Sequence, residues 1–386
     1  MNSTDEHEVF EEDADEDLRV SGMGAMLADR RRLAIGGLLL LGLVVAIYVL
    51  LPRIVGLDDE LKRIGDATWY WVAIAVGFTV AAFGAYVALF RGVLSGNASA
   101  PVRQRLGVRA SYEITMAGLA ATRIFSAAGA GGVVLSYWAL RKAGMPRRRS
   151  ACRMVAFLVL LYSVYGLALV IFGVLLRTGV LPGEAPVAGT IVPAALAGGA
   201  MLVGGLVALI PTDLERRLSS VRGGGRMARW AAKLAPVPAT AAAGMRTAIA
   251  FVRHPRRGAL ALVGAVGFWA ANIGILWASF EAFGGDVPFA VLVQGFFVGM
   301  AANLVPSPAG GVGSVDAGMI GAFVLFGIPG GIVFPAVLMY RVIAFWLPIP
   351  PGIVAFFQLR RTVAGWDAER EGYTSESKVT AEAQAK

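Results

Sequence analysis

Of 386 residues, 57% are hydrophobic and 16% charged, and the mean hydropathy is +0.67. No soluble core hides that much apolar surface, so the chain is expected to be all-α, a polytopic bundle of transmembrane helices. The net charge of +9 lies in short basic runs between apolar stretches, which marks membrane loops and argues against a nucleic-acid partner.

Residues 1–29 begin with a run rich in Asp and Glu and are expected to form a disordered tail. The first apolar run, residues 33–51, has no small-residue cleavage site, so it reads as a membrane helix and not as a secretory signal. Arg30, Arg31 and Arg32 precede it and put the N-terminus in the cytoplasm of the cell that carries this multi-pass protein. A second helix over residues 69–90, anchored by Trp69, Tyr70 and Trp71, brings the chain back to Arg91, Arg103, Arg105 and Arg109.

Between Ala110 and Leu140 the chain must leave and re-enter the cytoplasm, because Arg141, Lys142, Arg147, Arg148, Arg149 and Arg153 follow. Two full spans need about forty residues. A re-entrant hairpin is therefore expected, going in over 111–125, breaking at 126–132 and returning over 133–140. Glu113, near its entrance, reads as a surface carboxylate. Spans over 154–176 and 189–210 come next. Residues 211–258 then form a basic loop, expected in the cytoplasm and able to meet anionic lipid at the membrane surface.

A span over 259–283 leads to the most unusual stretch, 302–329, AANLVPSPAGGVGSVDAGMIGAFVLFGIP. Proline and glycine break an apolar segment there, and membrane-depth backbone of this kind survives only inside protein or beside a watery cavity. A last span over 332–357 ends at Arg360 and Arg361, expected in the cytoplasm, and residues 362–386 read as a disordered tail. That parity makes the broken segment a second hairpin, of opposite sense to the first. Ser126, Ala128, Gly129 and Gly132 match Ser307, Ala309, Gly310 and Gly313 in spacing, and Gly144-Met145-Pro146 resembles Gly327-Ile328-Pro329. Two inverted repeats are expected, about 33–176 and 189–357, within a membrane domain over 30–361.

A lipid phosphate crossing the apolar core needs compensating positive charge. Half-helices restarting near Val133 and Ser314 would offer free N–H groups and positive dipole ends, with the backbone at Gly310 and Gly313 beside them. Arg341, about ten residues into the last span, and Arg123, beside the first break, are the candidate phosphate contacts. Ser126, Ser307 and Asn303 could add hydrogen bonds. Asp316 could pair with Arg341, meet a cationic headgroup, carry a coupling proton or simply cap its half-helix. Asn272 and Gln294 read as helix-to-helix hydrogen-bonding groups.

No catalytic group is expected: the spans hold no His, no pair of Asp residues and no nucleophile-elbow spacing, and no phosphate-binding loop for ATP is present. Cys152, the one cysteine, excludes an internal disulfide and a thiolate zinc site. His7 and His254 both lie in polar segments, so neither a metal nor another cofactor is expected. An ion-coupled transporter of a small solute would use similar hairpins, and a non-transporting scaffold is the other alternative. Small-residue pairs such as Ala200 and Gly204 are compatible with a homo-oligomer.

On Asn303 to Pro329, on Tyr340-Arg341 and on the Gly144-Met145-Pro146 pattern, the chain resembles the lysylphosphatidylglycerol synthase transmembrane region, a flippase-like family of bacterial membrane proteins. The resemblance implies translocation of membrane lipids, in some relatives alongside a soluble domain that attaches an amino acid to phosphatidylglycerol. No counterpart of that domain follows Trp366, so lipid synthesis is not expected. Where the family usually has Glu soon after its glycines, this chain has Asp316, and its first hairpin lacks the Pro and the Gly-Glu pair often seen there.

Overall fold

A computed structural model describes residues 68–94, 98–124, 130–209, 236–304 and 311–384. The acidic tail, the first expected span and residues 210–235 of the basic loop lie outside the described residues, as do Ser126, Ser307 and Gly310. Everything regular among the described residues is helical. In a bilayer the backbone has no water to bond, so a helix that satisfies its own N–H and C=O groups is the available solution.

The helices are α1 (Trp69–Leu94), α2 (Ala100–Arg105), α3 (Val108–Ile124), α4 (Ala130–Lys142), α5 (Arg147–Arg177), α6 (Ile191–Ala208) and α7 (Pro236–Arg253). After them come α8 (Pro255–Ala282), α9 (Phe289–Met300) with a 3-10 turn at Ala301–Leu304, α10 (Ser314–Leu325), α11 (Gly330–Arg341) and α12 (Ile349–Gln384). A π-helical turn, Val342–Trp346, links α11 to α12. Five helical stretches among the described residues are long and apolar enough to cross a membrane: Trp69–Leu94, Arg147–Arg177, Ile191–Ala208, Gly258–Ala282 and Gly330–Glu369.

The centre of the bundle is the antiparallel pair α1 and α8. The N–H of Thr68 donates to Ala282 at one end, and Gly92 lies on Ala261 at the other. Glycine makes this closeness possible. A Cβ at Gly264 would run into the backbone of Ala85 and Leu89, and one at Gly274 into the Phe78 ring.

Two helical hairpins flank this pair. In the first, Gly131 and Gly132 of α4 lie on Ala121 and Gly118 of α3; in the second, Gly295, Gly299 and Ala302 face Phe323, Met319 and Gly318. Both sets of contacts run in antiparallel order. Helix α4 rises about 20 Å, and α9 and α10 about 18 Å each, at 1.5 Å per residue, well short of the roughly 30 Å hydrocarbon core. Both hairpins end in the same turn. Met145 N bonds Leu140 O after α4, Ile328 N bonds Phe323 O after α10, and Gly144 (φ 99°) and Gly327 (φ 77°) supply the left-handed residue.

The long last span measures where the hairpins sit. The second hairpin ends beside Gly330, where α11 starts, while the first has its base where the apolar stretch Gly330–Glu369 ends, held by Lys142–Asp367 and Arg105–Glu369 pairs of 3.4 Å each. They approach from opposite ends, and Arg123 of the first and Gly311 of the second both bond to the stretch Arg341–Phe345 between.

Three expectations need revision. Residues 236–253, read as part of a basic loop, form a helix packed on α5 and α6: Ala239, Ala242 and Ala248 are buried, and Gly244 lies against Val155. Its alanines, too weakly apolar to read as a span, still give a smooth packing face. Residues 362–384, read as a disordered tail, continue α12. Buried Val363 and Trp366, together with the two ion pairs, hold the helix as far as Glu369. Glu113 is 1% exposed, and not on the surface. It accepts from Arg109 at 2.9 Å and from Thr362 of α12 at 2.6 Å, which is how a carboxylate becomes tolerable there.

Candidate functional site where the two hairpin tips meet

The second break is built on glycine. Gly311 (φ 95°) and Gly313 (φ 87°) take left-handed backbone that a Cβ would strain, and at Gly311 the added carbon would also fall 2.8 Å from the side-chain oxygen of Asn303. Gly313 is the residue before α10, and its N–H donates to Asp316 Oδ2 at 2.8 Å. The other carboxylate oxygen, Oδ1, is 2.5 Å from Arg341 Nε. Asp316 therefore both caps the half-helix and pairs with the arginine, two of the roles its position allowed. Both residues are buried, at 5% and 4% exposure.

Arg341 also donates from Nη2 to Gly311 O at 3.2 Å, so the last span holds the backbone of the break directly. It sits at the end of α11, about 17 Å along the helix from Gly330 by the 1.5 Å rise.

Arg123, at the tip of the first hairpin, reaches the same place from the other side. Its Nη1 donates to Phe345 O at 2.9 Å and its Nη2 to Ala344 O at 3.0 Å. Those carbonyls are available for a covalent reason. Pro348, four residues beyond Ala344, has no N–H to return, and the π turn diverts the local ladder at Phe345. Phe345 lies within cation–π range of both cations, its ring centroid 4.4 Å from Arg341 Cζ and 5.2 Å from Arg123 Cζ.

The first break is tied by Thr122, whose hydroxyl donates to Gly118 O and accepts from Gly132 N, both at 2.9 Å. Gly132 and Gly313, matched in the sequence comparison, thus each give their N–H to a side-chain oxygen. The oxygen comes from the facing arm in the first hairpin and from the helix's own first turn in the second.

Arg341, Asp316, Arg123, Asn303 and Gly313 are brought together around the π turn, whereas Ser126, Ser307 and Gly310 lie outside the described residues. Thr122 and Phe345 were not anticipated, and Gly311 was read only as part of the break. The spacing of Phe345, four residues after Arg341 on one helix, and the prolines after it were the available signals. Asn272 accepts a 3.5 Å hydrogen bond from Tyr340, and Gln294 donates to Gly189 O at 2.9 Å, each joining separate elements.

Two guanidinium groups and one carboxylate share this small volume. Removing charge from water is costly, and carbonyl dipoles and the Phe345 ring supply part of the compensation that the guanidinium groups need. An apolar groove of about 780 Å³, lined by none of Arg341, Asp316 and Arg123, runs between α5, α6 and α7 and reaches the second hairpin at Ala301 and Leu304. Leu196 and Leu304 on its rim are 71% and 86% exposed.

Residues 32–352 match the family described as the lysylphosphatidylglycerol synthase TM region. A UPF0104 membrane protein of Methanothermobacter thermautotrophicus is 32% identical over 79 residues, 20% of this chain and 24% of that relative. The matched stretch thus covers about a quarter of the archaeal protein.

Proposed function

Because the chain belongs to the family of the lysylphosphatidylglycerol synthase TM region, we propose that it carries an anionic phospholipid or lipid-linked headgroup across the cell membrane past Arg341, Asp316 and Arg123. It acts as a transporter and not as an enzyme, with both termini in the cytoplasm. The observation that carries this reading is the buried Arg341–Asp316 pair facing Arg123 across Phe345, where the two hairpins meet. At rest Asp316 neutralises Arg341. An arriving phosphate competes for that guanidinium, and Asp316 keeps its bond to Gly313 N–H when displaced.

An inverted repeat accounts for several features together: the antiparallel α1 and α8, the shared glycine–proline turns, and hairpins approaching from opposite ends. Alternating access would follow from rocking one repeat against the other. The groove that opens between apolar, exposed side chains favours a lipid over a small soluble solute, since a tail can stay in hydrocarbon while the headgroup crosses.

The test is translocation of fluorescent phosphatidylglycerol in vesicles holding the purified protein, read by quenching with an impermeant reductant. The expected result is protein-dependent translocation that falls about tenfold or more in Arg341→Ala and in Arg123→Ala, the loss of a charge-assisted hydrogen bond. Translocation no faster than in protein-free vesicles would overturn the reading.

A further inference from the structure

The end of the molecule at the base of the first hairpin carries more positive charge than its own carboxylates balance. Three carboxylates are described there, and each is taken: Glu113 by Arg109 and Thr362, Asp367 by Lys142, and Glu369 by Arg105. Arg103 of α2, Arg149 of α5, Arg253 and Arg256 at the junction of α7 and α8, and Arg360 and Arg361 of α12 are all exposed. None of these six is paired with a carboxylate among the described residues. The helix ends that carry them lie together. Arg105 and Lys142 join α2 and α4 to α12, Arg153 of α5 donates to Val93 O at the end of α1, and Gly92 lies on Ala261 near the start of α8. Arg149 stands one helical turn from Arg153, so part of this surface repels itself. Arg360 comes about 45 Å after Gly330 along the last span by the 1.5 Å rise, and a hydrocarbon core is roughly 30 Å thick. The surface therefore faces headgroups and water.

The sequence holds a matching anion. Nine of the 26 acidic residues fall between Asp5 and Asp17, and no Lys or Arg precedes Arg19. Residues 1–17 thus carry −9, while the other 17 acidic residues and all 35 basic ones give the rest of the chain +18. We propose that the acidic segment 5–17 docks across the basic end formed by α2, α5, α12 and the α7–α8 junction. A crossing by residues 33–51 and a return along α1 bring the chain back to the side on which it began, so segment and surface share that side. Charge complementarity and tethering select this occupant. Residues 18–32, which extend to about 50 Å, hold the segment at an effective concentration on the order of 1 mM. Its carboxylates meet several arginines for one ordering cost, whereas phospholipid headgroups bring one phosphate each and are ordered one by one. A second copy of the basic end would only add repulsion. This inference goes beyond the lipid-carrying role and shares with it only the cytoplasmic N-terminus.

The experiment uses the full-length protein on a Cys152→Ser background in phosphatidylcholine nanodiscs. Nitroxide labels are placed at Phe10→Cys in the acidic segment and at Gly365→Cys, one turn beyond Arg361, where an added Cβ meets nothing within 4 Å. Double electron–electron resonance reads the distance between them. A short, narrow component is expected at low salt and should be lost at about 1 M salt, where the Debye length is about 3 Å. Replacing the nine acids by Asn and Gln leaves every basic residue and every packed helix as they are, and should abolish the short component at low salt. Arg103→Gln, Arg360→Gln and Arg361→Gln combined should weaken it several-fold while the protein stays folded by gel filtration.

A distance distribution that neither salt nor the neutral segment alters would overturn the proposal. A short component seen only between separately labelled chains would overturn it in favour of docking on a second copy. Its loss on adding a minor fraction of phosphatidylglycerol would overturn it in favour of anionic headgroups. The readout needs no transport, so its failure leaves the lipid path past Arg341 standing, and a failure of translocation leaves the docked segment standing.

Discussion

Asp316 uses its two oxygens for different tasks, and the tasks can be separated by substitution. Asparagine keeps an acceptor for the Gly313 N–H but withdraws the charge that Arg341 faces. Asp316→Asn should therefore destabilise by about 3–5 kcal/mol by leaving a buried cation, and Arg341→Met should do the same by leaving a buried anion. The double variant should recover most of the loss, because neither group is then uncompensated. Denaturant unfolding in detergent measures all three. Additive single losses in the double variant would mean that the two side chains are not coupled.

At the scale of the elements, each hairpin must close a break in its backbone ladder at membrane depth. Thr122 does so for the first, across the hairpin, and Asp316 for the second, within one helix. Thr122→Val keeps the shape and removes the acceptor for Gly132 N–H, an expected cost of about 1–2 kcal/mol. Thr122→Ser should restore most of it. Amide exchange at Gly132 should accelerate in the valine variant and stay slow in the serine one; unchanged exchange in both would remove Thr122 from this role. The hairpins were legible in the sequence because short apolar arms, small residues and basic flanks all set limits that two full spans cannot meet. Thr122 was not, because its acceptor role depends on a glycine ten residues away being brought back beside it.

For the whole molecule, ion pairs from α2 and α4 to Glu369 and Asp367 place both ends of the first hairpin beside the same stretch of α12. On a Cys152→Ser background, Ser99→Cys and Gly365→Cys should thus face the same side, with Asp286→Cys on the other. An impermeant maleimide added to intact cells should modify Asp286→Cys alone. Ser99→Cys and Gly365→Cys on opposite sides would show that the first hairpin crosses the bilayer.

Composition and charge pattern determined the all-helical membrane class, the positions of the five long spans among the described residues and the two breaks, since hydrocarbon accepts only backbone that satisfies itself and basic residues seldom cross. These are properties of local stretches and can be read locally. Only the tertiary structure decided that Arg123 holds the carbonyls of a π turn 221 and 222 residues away, that Phe345 lies beside both guanidinium groups, and that Glu113 is buried under Thr362. It also decided that residues beyond the last span remain helical, anchored to the first hairpin through Asp367 and Glu369. A buried charge is tolerable only where distant parts of the chain supply its partners, and those partners exist only once the chain has folded.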